Sequence, residues 1–172
     1  MSILFYSRLA EDAPTTPVAL PEGLTARIWR PAEQGPPPPG SRQPANWVWW
    51  VFDRLTLFAR PDFAELTLWR GNDLLHRLII TPRWFRFPFM DRADLQLGDL
   101  WTRPDARGQG LASLGVELAR QMADPSDRLW YLAQADNAAS IRLAARAGYR
   151  LTGVGKRSKG LSGCFRLERP VA

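Results

Sequence analysis

"RGQGLA", residues 107–112, decides the reading of this chain. Two glycines stand one residue apart, with an arginine in front and a helical pattern behind. Leu111, Leu114, Leu118 and Met122 fall on one face of 108–123, with Ala112, Val116 and Ala119 beside them. A glycine-rich turn that opens a helix is a ready phosphate site. The first N–H groups of the helix lack partners, and the positive end of its dipole points the same way. Two familiar phosphate loops do not fit. There is no GK[ST], which excludes a P-loop, and Ser113 stands where the third glycine of the dinucleotide fingerprint would fall.

Upstream of the turn, "ADLQLGDLWT", 93–102, reads as a strand, and Arg103–Ala106 as a turn containing Pro104. Downstream, "RLWYLAQA", 128–135, reads as a strand. "NAASIRLAARAG", 137–148, reads as a short helix with Asn137 as its N-cap and Gly148 as its stop. "GLTARIWRP", 23–31, alternates as a strand does. The stretch "AEQGPPPPGSRQP", 32–44, excludes helix and central strand and predicts a stiff exposed loop over about 31–44, inside one domain spanning 1–172. "NWVWWVFDRLTLFA", 46–59, has helical spacing, with strand as the alternative. "AELTLWRG", 64–71, and "DLLHRLIITP", 73–82, read as two strands about a "GND" turn. "RWFRFPFM", 83–90, reads as aromatic and extended, Asp94 as exposed at a loop edge, and 149–158 with 164–171 as an antiparallel pair. The sum is a mixed α/β domain, a sheet with helices packed on it.

The bulk numbers set outer bounds. A chain of 172 residues suits one domain with a sizeable core. No apolar run reaches the roughly 20 residues of a membrane helix, and "MSILFYSRLAED" lacks the sections of a signal peptide. Cys164 is the one cysteine, so no internal disulfide forms and a cytoplasmic location is expected. The net charge of +6 comes almost wholly from arginines scattered among acids, and the only lysines are Lys156 and Lys159. The dense stretch "GKRSKG", 155–160, reads as a hairpin tip rather than a nucleic-acid footprint.

"RGQGLA" matches the [RQ]xxGx[GA] signature of the GNAT superfamily of acyl-CoA-dependent N-acetyltransferases, and the chain resembles that family beyond the turn. "LWTRPDA", 100–106, looks like the end of the family's fourth strand and its lead-in. "NAASIRLAARAGY", beginning 25 residues after Ala112, resembles its second cofactor element. The resemblance covers about a third of the chain, 93–150. It implies a mixed α/β (α+β) fold with a mostly antiparallel central sheet, splayed in the middle and flanked by helices. It implies acetyl-CoA as cofactor. The pyrophosphate would sit on the amides of Arg107, Gly108, Gln109, Gly110, Leu111 and Ala112. The pantetheine arm would run along Leu100, Trp101 and Thr102, with Asn137 beside it. It implies direct transfer of the acyl group to an amine.

That chemistry needs a neutral amine, a donor for the developing oxyanion and an acid for the leaving thiolate. The Leu100 or Trp101 N–H is the expected oxyanion donor. Many members place a tyrosine acid seven residues after the helix-opening Asn; here that residue is Ala144. Tyr149 reads as core, and Tyr131 is a candidate whose facing alternation does not fix. For the base, Asp99 ranks first and His76, the only histidine, second. The aromatics of 83–95 and of "WVWW", 47–50, read first as core packing with exposed arginines; the alternative makes Arg83, Phe85 and Arg86, with 47–50 opposite, an acceptor wall that holds a sugar ring or an anionic group. No metal is expected. The expected partner is a small-molecule primary amine, an amino sugar among the candidates, with a homodimer open and neither nucleic acid nor membrane. A protein or peptide amine is the rival acceptor, and a non-catalytic acyl-CoA-binding module is the rival class.

Overall fold

The computed structural model describes residues 2–10, 17–37, 44–158 and 163–171. Eight strands form one sheet: β1 Ser2–Leu9, β2 Leu24–Trp29, β3 Ala64–Arg70, β4 Asp73–Pro82, β5 Leu95–Thr102, β6 Arg128–Gln134, β7 Arg150–Arg157 and β8 Phe165–Pro170. Four helices accompany them: α1 Pro31–Gln34, α2 Pro44–Arg54, α3 Leu111–Gln121 and α4 Ala138–Arg146. The strand order is β2-β3-β4-β5-β6-β1-β7-β8. Every neighbouring pair is antiparallel except β5–β6, which is parallel.

That parallel pair is where the sheet opens. Only Leu95, Gln96 and Leu97 pair with Leu129, Trp130 and Tyr131. Beyond Leu97, β5 pairs on its β4 side alone, through Gly98, Trp101 and Thr102. The expected splay in the middle of a mostly antiparallel sheet is therefore present.

The two faces of the sheet are covered differently. α3 packs Leu111, Val116 and Ala119 on Leu66, Leu68, Leu78, Ile80 and Leu97. The opposite face carries an aromatic cluster of Phe5, Trp29, Phe58, Phe63, Trp84, Phe87 and Trp130, joined by Trp49, Trp50 and Phe52 from α2. The helical reading of 46–59 holds through Arg54 and fails for 55–59; from the helix, Trp49 stacks on Phe63 with ring centroids 5.6 Å apart.

Several expectations need correction. The N-terminal stretch is β1, which runs between β6 and β7 in the interior of the sheet with Phe5 fully buried. Both its faces are covered, so it reads as a continuous apolar run rather than an alternation. The proline-rich loop opens with a single helical turn, α1, because Pro31 stands at a first helical position where its missing N–H costs nothing; residues 38–43 of that loop lie outside the described residues. The stretch 83–90 is a series of turns, with Phe87 N–H bonded to Trp84 O and Met90 N–H to Phe87 O, and it buries Trp84, Phe87 and Met90. Asp94 is buried rather than exposed: it accepts from Trp130 Nε1 at 2.7 Å and from the Asp91 N–H at 2.9 Å. β7 and β8 pair as expected, while the tip at 159–162 lies outside the described residues.

Candidate active site

A groove of about 600 Å³ opens where β5 and β6 diverge. Its walls are the end of β5, the 107–113 turn and the near face of α4. Of the residues expected to hold a cofactor, Leu100, Trp101, Thr102, Arg107, Gly108, Gly110, Leu111, Ala112 and Asn137 all line it. Gln109 does not; its side chain turns back to the Asp105 carbonyl.

The turn works because of its glycines. Gly108 and Gly110 have φ of 80° and 78°, a conformation that costs other residues about 1–2 kcal/mol. Gly110 is the N-cap of α3, and the first intrahelical bond runs from Leu114 N–H to Gly110 O. The N–H groups of Leu111, Ala112 and Ser113 come before that bond and so have no acceptor inside the helix. They point into the groove mouth, where Arg107, Arg142 and Arg146 add positive charge. A diphosphate fits this set of donors. Arg107 is steered there by its Nε, which donates to Thr102 O at 3.3 Å. Across the groove, Asn137 Oδ1 accepts the Ser140 N–H at 3.0 Å and fixes the start of α4.

The floor of the groove carries a β-bulge. Gly98 pairs with Ile79 and Trp101 with Arg77, so Asp99 and Leu100 together face the single residue Leu78. Asp99 takes φ of 49° there, unusual for any residue but glycine. The bulge breaks the ladder at the point where the sheet has already opened, so the Leu100 backbone lines the groove floor, while the Trp101 amide points with that of Arg103 toward β4. "QLGDLW" gives no warning of it beyond the glycine.

The candidate base His76 is placed elsewhere. It is fully buried beneath α3, where its Nδ1 shares a 2.8 Å hydrogen bond with Thr102 Oγ1. Burial lowers its pKa to about 4, against a smaller rise from the Trp101 backbone, so it is neutral at pH 7. A group sealed in this way supports the groove floor and has no path to an incoming amine. Asp99 is half exposed and paired with Arg77 at 3.1 Å. Tyr131, whose facing the sequence left open, lines the groove and donates its O–H to Ser140 Oγ at 3.4 Å. Burial raises the pKa of that phenol, which keeps it protonated. Ala144 and Tyr149 are both core, and burial pushes the Tyr149 phenol far up.

Arg83, Phe85 and Arg86 are not brought to this groove. Arg83 follows Pro82, which pairs with Leu95 at the opposite end of β5, roughly 15–20 Å along the strand at about 3.3 Å per residue. Arg83 and Phe85 instead border a shallow hollow of about 340 Å³ with Leu57, Pro88 and Arg92. Arg86 lies over the Trp84 ring, 5.1 Å from its centroid. In place of the alternative acceptor wall, this stretch forms a rim of the aromatic core.

A splayed sheet, a cationic helix N-terminus and a β-bulge meet in this one groove. The chain belongs to the GNAT acetyltransferase family: the family model described as "Acetyltransferase (GNAT) family" matches residues 27–149. No curated protein matches the chain. Solved structures with a similar fold include a GCN5-related N-acetyltransferase from Kribbella flavida, with 15% identity and a TM-score of 0.54 over 88% of this chain and 55% of that one. A GNAT-family acetyltransferase from Colwellia psychrerythraea has 16% identity and a TM-score of 0.52 over 87% and 52%. A tandem GNAT protein from the clavulanic acid biosynthesis pathway has 12% identity and a TM-score of 0.55 over 87% and 50%. The chain thus spans about half the length of these structures. Among the described residues no helix is long and apolar enough to cross a membrane.

Proposed function

We propose that the protein is an acetyl-CoA-dependent N-acetyltransferase that transfers the acetyl group directly to the primary amine of a small molecule. The observation that supports this best is the coincidence of three features in one groove. They are the unpaired amides at the start of α3, the unpaired edge of β5 beyond Leu97, and the bulge at Asp99–Leu100. The 107–112 amides with Arg107 hold the diphosphate. The β5 edge at Leu100–Thr102 receives the pantetheine amides as an added strand would. Acetyl-CoA, when bound, supplies the activated acyl group. The bulge amide of Leu100 stabilises the charge that develops on the carbonyl oxygen. Asp99, on the bulge itself, attracts the ammonium form of the acceptor. The protonated Tyr131 O–H is the donor for the leaving sulfur, the role vacated by Ala144. With Arg83, Phe85 and Arg86 remote from the groove, an amino sugar stays one candidate among small amines.

A protein acceptor is favoured by one observation. The outward face of α2 exposes Trp47, Val48 and Val51, and Leu55 just after it continues an apolar stripe of the kind that docks a partner surface. Release of free thiol from acetyl-CoA, followed with a panel of small amines and with peptides bearing free α- or side-chain amines, tests both readings. Turnover of small amines alone supports the first, turnover of peptides alone supports the second, and no thiol release with any acceptor overturns the proposal.

A further inference from the structure

The face of the sheet opposite α3 is not aromatic throughout. Beside the aromatic cluster, the residues that share this face include Arg27 on β2, Glu65, Thr67 and Trp69 on β3, Arg77 on β4, and Asp99 and Trp101 on β5. The register places Thr67 directly across from Arg77, and Arg77 directly across from Trp101. Cross-strand pairs lie on one face with Cβ atoms about 5 Å apart. The bulge turns Asp99 up beside them, and its carboxylate meets Arg77 Nη2 at 3.1 Å. Glu65 is anchored from above: Asn46 of α2, almost fully buried, donates its Nδ2–H to Glu65 Oε2 at 2.8 Å. The groups facing Glu65 are therefore Asn46 from α2, Arg77 from β4 and Asp99 from β5. Two carboxylates and one guanidinium give this cluster a net charge of about −1. It lies across the bulge from the cofactor groove.

We propose that the Glu65–Arg77–Asp99 cluster seats the acceptor's amino group, that Glu65 takes its proton, and that the cluster selects amines with no carboxylate beside the nitrogen. This rests on the acetyl-transfer reading above. Two carboxylates around one site attract an ammonium and repel an anion. Arg77 is already engaged by Asp99, and Arg27, across from Thr67 on β2, is held over the Trp69 ring 4.6 Å from its centroid, so neither is placed to serve an incoming carboxylate. Of the two acids, Asp99 is half exposed and ion-paired. Glu65 is largely withdrawn from water, and burial raises its pKa more than Asn46 and Arg77 lower it, with Asp99 adding to the rise. That environment makes Glu65 a stronger base than an exposed carboxylate. Trp101, on the same face, offers a flat apolar surface to the body of the amine.

The step balances as follows. The acceptor enters as R–NH3⁺ and Glu65 takes one proton. The nitrogen lone pair then forms the C–N bond at the acyl carbon as the C–S bond breaks. A second proton leaves nitrogen as the amide forms and passes through water to restore the proton that Tyr131, or water itself, gives the departing sulfur. One proton is released per turnover when Glu65 returns its own to solvent.

The test is steady-state thiol release with the full chain, acetyl-CoA, and tyramine, tyrosine and glucosamine as acceptors, between pH 5.5 and 9. Glu65→Gln keeps the hydrogen bond to Asn46, and a melting curve checks that it folds. The expected result has four parts. Tyramine exceeds tyrosine in kcat/KM at least about tenfold. Glu65→Gln lowers kcat about a hundredfold with the KM for acetyl-CoA unchanged, and removes an acid limb from the pH profile. Glu65→Asp recovers part of the rate together with the limb. Asp99→Asn raises the amine KM. Wild-type rate and pH profile in a folded Glu65→Gln, or tyrosine used as well as tyramine, overturns this inference while leaving acetyl transfer standing. Wild-type enzyme that binds no acetyl-CoA and turns over no amine overturns the acetyl-transfer reading and this one with it.

Discussion

His76 makes the stability of this protein depend on pH in a way that one substitution can isolate. The imidazole has no exposed surface, and its surroundings lower its pKa from 6.5 to about 4. In the unfolded chain it titrates at about 6.5. Above that pH both states hold a neutral ring and the residue contributes no pH dependence. As the pH falls below 6.5 the unfolded state takes up a proton that the folded state refuses, so the folded state loses stability until about pH 4. The gap between 6.5 and about 4, at about 1.4 kcal/mol per pH unit, amounts to about 3 kcal/mol. For a chain of this size each kcal/mol moves Tm by roughly 2–4 °C, so His76 accounts for a fall of roughly 6–12 °C. Thermal melts of wild type and His76→Gln, followed by circular dichroism at half-unit steps from pH 7.5 to 4, read this directly. Both proteins share the acid titration of their carboxylates. The expected result is a Tm difference between them that changes by that amount across the range, the wild type falling more steeply. Parallel Tm–pH curves would refute the burial argument.

Three further outcomes follow from local geometry. Gly115→Ala places a Cβ 2.6 Å from His76 Nε2 and 2.8 Å from its Cδ2, and costs about 1–3 kcal/mol in a denaturant titration as α3 is forced off the sheet. Tyr131→Phe removes the proton donor beside the groove while keeping the ring, and lowers kcat about a hundredfold with acetyl-CoA affinity held within about twofold; an unchanged kcat assigns that proton to water. Arg60 donates to Asp127 at 2.7 Å, to Asp124 at 3.3 Å, to the Ala93 carbonyl at 2.8 Å and to Asp62. Because Asp127 is almost fully buried, Arg60→Ala leaves its charge with the Asp124 N–H and no cation, and costs about 3 kcal/mol, read from the shift of the urea midpoint.

The sequence was most legible where chemistry and local geometry coincide. "RGQGLA" announces itself because Gly108 and Gly110 both need positive φ and because α3 must begin there. Asn137 and Gly148 bracket α4 for equally local reasons, and Gly71 marks the β3–β4 turn. What escaped depends on distant partners. The bulge at Asp99 arises from the mismatch between β4 and β5, and no window of β5 alone reveals it. β1 hid because a strand buried on both faces loses its alternation. Glu65 looked like one polar residue in an alternating strand; its meaning comes from Asn46, nineteen positions earlier in the chain, and from Arg77 and Asp99 on the next two strands. The aromatics of 83–90 were ambiguous because rings suited to a ligand are equally suited to a core; Trp84 and Phe87 went to the core, as the packing reading expects.

Calorimetric titration of acetyl-CoA into wild type and Gly110→Trp, with ATP and NAD as controls, tests the central claim most directly. At Gly110 a Cβ meets no other atom within 4 Å, but φ is 78°, so the indole both strains the turn and fills the mouth of the groove. The account predicts saturable acetyl-CoA binding to the wild type, none of comparable strength for ATP or NAD, and loss of acetyl-CoA binding in a variant that still melts cooperatively. Equal binding by wild type and variant, or no binding by the wild type, would contradict the assignment of 107–112 to the diphosphate.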